Sequence, residues 1–353
     1  MRKFTPMKIA GILILLVALG LSLFKPMAMA SVPKVGILYT DLEKVSSDLM
    51  FGETLNEKPY HPVMNIRPHQ VVSQGGKVYC LGQRIDGVNG LYSLNLENGH
   101  WAELKSDVGD LGKSTGTIWD DLQCVGGQLI WDQYSGEDDY VSDKRFCLDI
   151  ETGEERKAAF RHGKMLWWEG NFYKFSLKKL YMGDLVTKSK SGNIETVAKD
   201  MFHYQDSEML IDGMVGYLPG HGNWAFRYNL SKQKTVDKLE IKGTHPTVIQ
   251  SSADYMMCMK HDGSVFVYFY DSGMTYCVRE ADEHPPHNLT VELRTSSLWM
   301  INGKEISMLT LPELEMRRVE ATDFTDYYVT EEGVLILCDM EGISRYSVNE
   351  LCY

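Results

Sequence analysis

The stretch Glu280 to Asn288 reads EADEHPPHN and places Asp282, Glu283, His284 and His287 within a few residues of one another. Imidazoles and carboxylates are the side chains that hold divalent cations and move protons near neutral pH, so the stretch poses a question of metal binding or acid-base chemistry. Pro285 and Pro286 bar both helix and central strand, which excludes a helical HExxH-type zinc site at His284 and His287. A second acidic run, GEDDY, carries Glu137, Asp138 and Asp139. Oxygen ligands alone suit calcium, and a mixed histidine and carboxylate set suits manganese or zinc. The alternative for both runs is a solvated polar loop. Three other patterns carry less. GKSTG at Gly112 to Gly116 matches G-x-S-x-G, but it lacks the strand-turn-helix of a nucleophile elbow. Asn229 and Asn288 begin glycosylation sequons, which matter only in a eukaryotic host. The 19 methionines have no copper-type spacing and suit core filling.

Loops need elements to position them, and here those elements form a repeat. Short turns followed by an apolar strand recur as SQGG-KVYCLG, CVGG-QLIWDQ, WWEG-NFYKFS, LIDG-MVGYLP, SSAD-YMMCMK, RTSS-LWMING and VTEE-GVLILC. The anchors Gly76, Gly127, Gly170, Gly213, Ala253, Ser297 and Glu332 are spaced by 51, 43, 43, 40, 44 and 35 residues. That period is the one expected of a four-stranded propeller blade. Each unit reads as strand a before the anchor, b after it, then c and d, with alternating runs such as GLYSLNLENGHWAEL and SVFVYFYDSGMTYCV marking hairpins. Six units hold all four strands, and the seventh stops after c. The run Val35 to Asp41, VGILYTD, belongs to no repeat and is the expected donor of the missing strand, closing the ring and removing an open edge. The expected fold is therefore all-β: a seven-bladed β-propeller of four-stranded antiparallel blades, the last closed by an N-terminal strand. The third unit, residues 162 to 200, is the least regular, and this leaves six or eight blades open.

On these repeats and hairpins the chain resembles the secreted bacterial β-propellers of the TolB-like and WD-like type, over its whole length after residue 30. It lacks the GH and WD dipeptides of true WD repeats, so the resemblance implies an architecture and no activity.

The N-terminus supports export. Arg2, Lys3 and Lys8 precede the unbroken apolar run Ile9 to Phe24, and Ala28-Met29-Ala30 offers a small-x-small cleavage site. Positive charge stays cytoplasmic, so everything after the run is expected outside. Residues 1–30 are thus a signal peptide or an uncleaved membrane anchor, and 31–353 the propeller domain. Membrane contact is expected only through residues 9–24 if uncleaved. Without residues 1–30 the net charge moves from −12 to −16, a surface that repels nucleic acid and anionic headgroups and suits cations, cationic ligands or neutral glycans. Of the seven cysteines, Cys80, Cys124, Cys147, Cys258, Cys277 and Cys338 sit in apolar strand-like runs and read first as small buried hydrophobes, with one or two bridges as the alternative.

Strand alternation puts the d-to-a connections and b-to-c loops on one face and the a-to-b and c-to-d turns on the other. His162, His203, His245, His284 and His287 fall in d-to-a connections, His221 and His261 in b-to-c loops, and His61 before the first blade; only His69 and His100 fall elsewhere. The histidine-bearing face is the expected binding face. Its ligand-binding candidates are His162, His203, Tyr204, His245, His284 and His287; Glu137, Asp138, Asp139, Asp282 and Glu283 are the candidate ligands of a divalent cation, calcium or a transition metal. Tyr60, Trp167, Trp168 and Tyr204 are placed at or near this face, where they could stack on sugar rings or serve as inter-blade core. The expected function is a monomeric, non-catalytic extracytoplasmic propeller that binds a protein or glycan partner in the cell envelope. The alternative is a metal-dependent carbohydrate-active lyase or hydrolase on the same scaffold.

Overall fold

The computed structural model describes residues 66–107, 117–134, 144–161, 163–179, 182–188, 193–202, 210–218, 224–241, 246–281, 289–321, 324–330, 333–338 and 342–347, with the strand segments 34–36, 43–44 and 50–51. The repeat anchors explain how the strands begin. Gln74 pairs with Lys77, Val125 with Gln128, Trp168 with Asn171 and Ile211 with Met214, leaving two-residue loops. Both loop residues have positive φ: Gly75 and Gly76, Gly126 and Gly127, Glu169 and Gly170, Asp212 and Gly213. That is the geometry of the type I′ turn, whose twist matches antiparallel strands and which favours glycine.

Three short strands come first: β1 (Lys34–Gly36), β2 (Glu43–Lys44) and β3 (Met50–Phe51). The first sheet is β4 (Ile66–Gln74), β5 (Lys77–Arg84), β6 (Asn89–Asn95) and β7 (His100–Ser106). The second is β8 (Ile118–Val125), β9 (Gln128–Tyr134) and β10 (Lys144–Asp149); the third is β11 (Leu166–Trp168), β12 (Asn171–Lys179), β13 (Met182–Lys188) and β14 (Ile194–Phe202). The fourth is β15 (Leu210–Ile211), β16 (Met214–Tyr217), β17 (Trp224–Asn229) and β18 (Lys234–Glu240); the fifth is β19 (Pro246–Ser251), β20 (Tyr255–Lys260), β21 (Val265–Phe269) and β22 (Thr275–Arg279). The sixth is β23 (Leu289–Leu293), β24 (Ser297–Asn302), β25 (Glu305–Thr310) and β26 (Met316–Glu320); the seventh is β27 (Asp326–Val329), β28 (Val334–Cys338) and β29 (Ile343–Ser347). Within each of these sheets the strands of the repeat pair antiparallel in chain order.

Each sheet packs face to face on the next through its own apolar cluster. Trp119, Trp131 and Phe146 of the second sheet, with ring centroids 5.0 to 5.5 Å apart, meet Val72, Tyr79, Leu81 and Leu91 of the first. Val329, Leu335 and Leu337 of the seventh sheet meet Trp299 and Met308 of the sixth. The ring closes where Ile336, Cys338 and Ile343 of the seventh sheet pack on Val71, Val78, Cys80 and Leu94 of the first. The first strand of each sheet is the innermost, because β4 packs on β8 and β27, and β19 on β15 and β23.

Two sequence expectations are corrected. Lys34–Gly36 does not complete the seventh sheet: it pairs in parallel with β18 of the fourth, Lys34 opposite Lys238 and Gly36 opposite Glu240. β2 likewise pairs with β22, and β3 with β26, both in parallel. Residues 37–41 of the expected donor lie outside the described residues. The physical reason is that every outer strand presents the same unpaired N–H and C=O groups, so an alternating run does not specify which edge it covers. The third unit, expected to be least regular, forms a four-stranded sheet and carries register shifts in two of its three strand pairings, in keeping with that expectation. Among the described residues the second sheet, like the seventh, lacks a full fourth strand. After the turn at Asp149, only Leu148 and Glu155 form a bridge, because residues 151–157 are all exposed and offer no apolar face to bury.

Four of the six described cysteines follow their expected packing, with Cys80, Cys147, Cys258 and Cys338 buried in the sheet clusters, whereas Cys124 and Cys277 are half-buried. Burial pushes the Cys80 thiol well above its ordinary range, with Cys338 nearby adding to the shift.

Candidate functional site: the channel at the ring axis

Among the described residues, the innermost strands of the sheets surround one axis and leave a channel. A cavity of ≈ 660 Å³ is walled by Gln70, Val71, Asp121, Gln123, Lys164, Trp167, Glu292, Arg294, Asp326 and Tyr327, among others. A second, of ≈ 760 Å³, shares Cys124, Gly126 and Tyr328 with it and opens among the a-to-b turns at Gly75, Gly76 and Thr330. Both volumes are in the range of small-molecule sites.

The wall is built from links between neighbouring innermost strands. Leu122 N–H donates to Gln70 Oε1 at 2.9 Å, joining the first sheet to the second. Met165 N–H donates to Gln123 Oε1 at 2.9 Å, joining the second to the third. Gln250 spans the fifth and sixth: Leu293 N–H donates to its Oε1 at 2.7 Å, and its Nε2 donates to Val291 O at 3.2 Å. At the closure, Val71 N–H donates to Asp326 Oδ2 at 2.8 Å across the ring seam. One side chain on one strand thus satisfies a backbone N–H on the next, which is how a ring of separate sheets avoids unpaired polar groups at its axis.

The charged groups of the wall are also fixed. Arg294 Nη2 donates to Glu292 Oε2 at 2.6 Å and to Val329 O at 2.8 Å, and Tyr327 Oη donates to Glu292 Oε1 at 3.1 Å. Burial, and secondarily the Glu292 charge, drives the Tyr327 phenol well above its ordinary range. Arg145 is bidentate to Asp132, Nε to Oδ1 at 2.6 Å and Nη2 to Oδ2 at 2.7 Å, with both side chains buried, and its Nη1 donates to Gly163 O at 2.8 Å. Burial raises the Asp326 carboxyl to about 6, with Glu292 and Asp120 adding to the rise against hydrogen bonds from Val71 and Tyr327 that lower it. A wall of anchored carboxylates, a guanidinium, carboxamides and a phenol can hydrogen-bond a polar ligand without reorganising. Among the described residues, no group of three or more His, Cys, Asp or Glu is placed to hold a metal ion.

None of the sequence-derived binding and metal candidates is among the described residues that line this channel. His162, His203, Tyr204, His245, His284, His287, Glu137, Asp138, Asp139, Asp282 and Glu283 all lie outside the described residues. The strands that flank them in the chain are described: β14 precedes His203, β18 precedes His245, β22 and β23 bracket Asp282 to His287, and β9 and β10 bracket Glu137 to Asp139. His261, in the β20 to β21 turn, is exposed. Trp167 and Trp168 depart from the sequence expectation. They end β11 beside an a-to-b turn, on the opposite face, and a Cβ at Gly126 or Gly213 would lie 2.6 Å from their respective rings. Each indole therefore covers a turn glycine of a neighbouring sheet. The channel residues Glu292, Arg294, Asp326 and Tyr327 are absent from the sequence-derived candidates because those were sought in loops. Their signal was present as charged residues inside the strand runs TVELR and DYYV.

The fold defines the chain as a β-propeller of antiparallel, mostly four-stranded blades. No known protein family and no curated protein matches it in sequence. Among solved structures it is similar to BamB from Moraxella catarrhalis, at 13% identity and a TM-score of 0.43 over 79% of this chain and 84% of that one. PorZ, a surface component of the type-IX secretion system of Porphyromonas gingivalis, aligns at 14% identity and a TM-score of 0.49, over 82% of this chain and 38% of that one. The Cps50 (Swd1) β-propeller domain of Myceliophteria thermophila aligns at 12% identity and 0.48, over 81% of this chain and all of that one.

Proposed function

We propose that the chain is an extracytoplasmic, non-catalytic propeller of seven blades that binds a ligand or protein partner at the ring axis. The observation that carries this reading is the channel wall. Glu292, Arg294, Tyr327 and Asp326 converge on one cavity, each held by a hydrogen bond to another part of the ring. Rigid polar groups in a concave site favour recognition, since little freedom is lost on binding. Export rests on residues 1–30 as signal peptide or anchor. The partner is then a protein or glycan of the cell envelope, met by a monomer. His162, His203, Tyr204, His245, His284 and His287 are proposed as further binding residues at the rim of one mouth.

Ion analysis of purified residues 31–353 tests the non-catalytic part. The expected result is a folded protein with no stoichiometric transition metal. A stoichiometric metal that disappears in His203→Ala or His245→Ala would overturn it in favour of a metal-dependent carbohydrate-active enzyme, with Glu137, Asp138, Asp139, Asp282 and Glu283 as the further ligands to mutate.

A further inference from the structure

Two buried polar atoms on the outer half of the first sheet stand without a hydrogen bond. Among the described residues neither Tyr92 Oη nor Trp101 Nε1 has a partner, although the two residues are only 1% and 8% exposed. Leaving a buried donor unmet is costly, so two orphans at one place call for a partner from outside the chain. Both side chains line one cavity of ≈ 330 Å³. Its wall comes from the first sheet alone, with Ile66 on β4, Tyr92 on β6, Asn98 in the turn that follows, and His100, Trp101 and Glu103 on β7. It shares no residue with the two axial cavities. The sequence makes room for it with a glycine pair: Gly82 and Gly90 stand opposite each other on β5 and β6. A Cβ at Gly82 would strike Ile66 and one at Gly90 would strike the Tyr92 hydroxyl, so both side chains lie low over the sheet.

The surroundings set the class of ligand. An indole N–H only donates. Burial, and then the Glu103 charge, drive the Tyr92 phenol well above its ordinary range, which keeps it a donor at neutral pH. Glu103 is exposed and pairs across the strands with Tyr92, so an anion entering here would meet a carboxylate. Ile66, Tyr92 and Trp101 supply apolar walls and belong to the cluster that closes the ring. We propose that this cavity is a binding site, separate from the axial channel, for a small neutral molecule with an apolar body and carbonyl, ether or hydroxyl oxygens. Those oxygens accept from Trp101 Nε1 and Tyr92 Oη, and the apolar body lies against Ile66.

Indole N–H spectra of the isotope-labelled protein, with the Trp101 signal assigned through Trp101→Phe, test this with two probes built on the same ring. One is para-methoxyacetophenone, which is neutral, and the other is para-methoxybenzoate, an anion. The neutral probe is expected to move the Trp101 signal saturably, while Trp299, whose Nε1 already donates to Ser297 Oγ at 3.0 Å, keeps its position. The benzoate should bind on the order of tenfold more weakly, because of Glu103. Tyr92→Phe deletes only the unbonded hydroxyl. It should leave the urea midpoint unchanged or raised, yet weaken the neutral probe about 2- to 10-fold. No saturable shift at Trp101, an equal shift at Trp299, or equal affinity for the two probes overturns the site. So does a lowered urea midpoint in Tyr92→Phe, which would mean that the hydroxyl has a partner within the chain. Binding at the ring axis is judged apart from this, at Lys164, which lines the channel and not this cavity.

Discussion

Single side chains set the spacing between sheets in this molecule, and the turn glycines show how. Gly126 sits at φ +58 under the Trp167 ring, whereas Gly127 sits at φ +74, where an added Cβ would meet nothing within 4 Å. Gly127→Ala should therefore cost only the left-handed backbone penalty, about 1 kcal/mol. Gly126→Ala adds an overpacking cost and should lose about 2–4 kcal/mol in urea unfolding. Combining Gly126→Ala with Trp167→Ala should cost less than the sum of the two single changes, because both relieve the same contact. The turn positions were legible from sequence, since GG, EG and DG before an apolar strand call for positive φ. The partner of Gly126 was not, because nothing in Leu166-Trp167-Trp168 states which neighbouring sheet each indole covers.

At the scale of elements, buried polar pairs lock hairpins and neighbouring sheets together. Asp132 and Arg145 face each other across the β9 to β10 hairpin, each with a side chain 4% exposed. Asp132→Asn removes the countercharge and leaves the guanidinium buried, so a loss of about 3–5 kcal/mol is expected in chemical denaturation. Asp132→Leu with Arg145→Met should recover most of it, because an apolar pair removes both desolvation penalties. Gln250→Leu tests the inter-sheet links: it strands Val291 O and Leu293 N–H and should cost about 2–4 kcal/mol. Strand and hairpin order was legible in the sequence because alternation and turn residues repeat along the chain. Edge pairing was not. VGILYTD carries an alternating pattern that suits any open outer strand, and the strand described within it lies on the fourth sheet. The incomplete edge of the second sheet was legible in retrospect, since EERK has no apolar position to bury.

The whole molecule is a ring whose stability rests on its inter-sheet clusters and whose chemistry gathers at the axis. The ring was legible from its period, whereas the loop histidines and acids, the conspicuous candidates in the sequence, lie outside the described residues. The axial groups escaped notice because a charged residue within a strand looks like an exposed position until the ring turns that strand inward. Site-specific photo-crosslinking in the cells that produce the protein tests the account most directly. A photoreactive residue would replace Lys164, which lines the channel and is exposed, or His203 or His245 at the proposed rim. The controls are Leu104 and Ile194, exposed on the outer strands β7 and β14. Axial binding predicts a discrete adduct from Lys164 and at least one rim position, and none from the two outer positions. Adducts from Leu104 or Ile194 with none from Lys164, His203 or His245 would contradict it and place recognition on the outer edge of the ring.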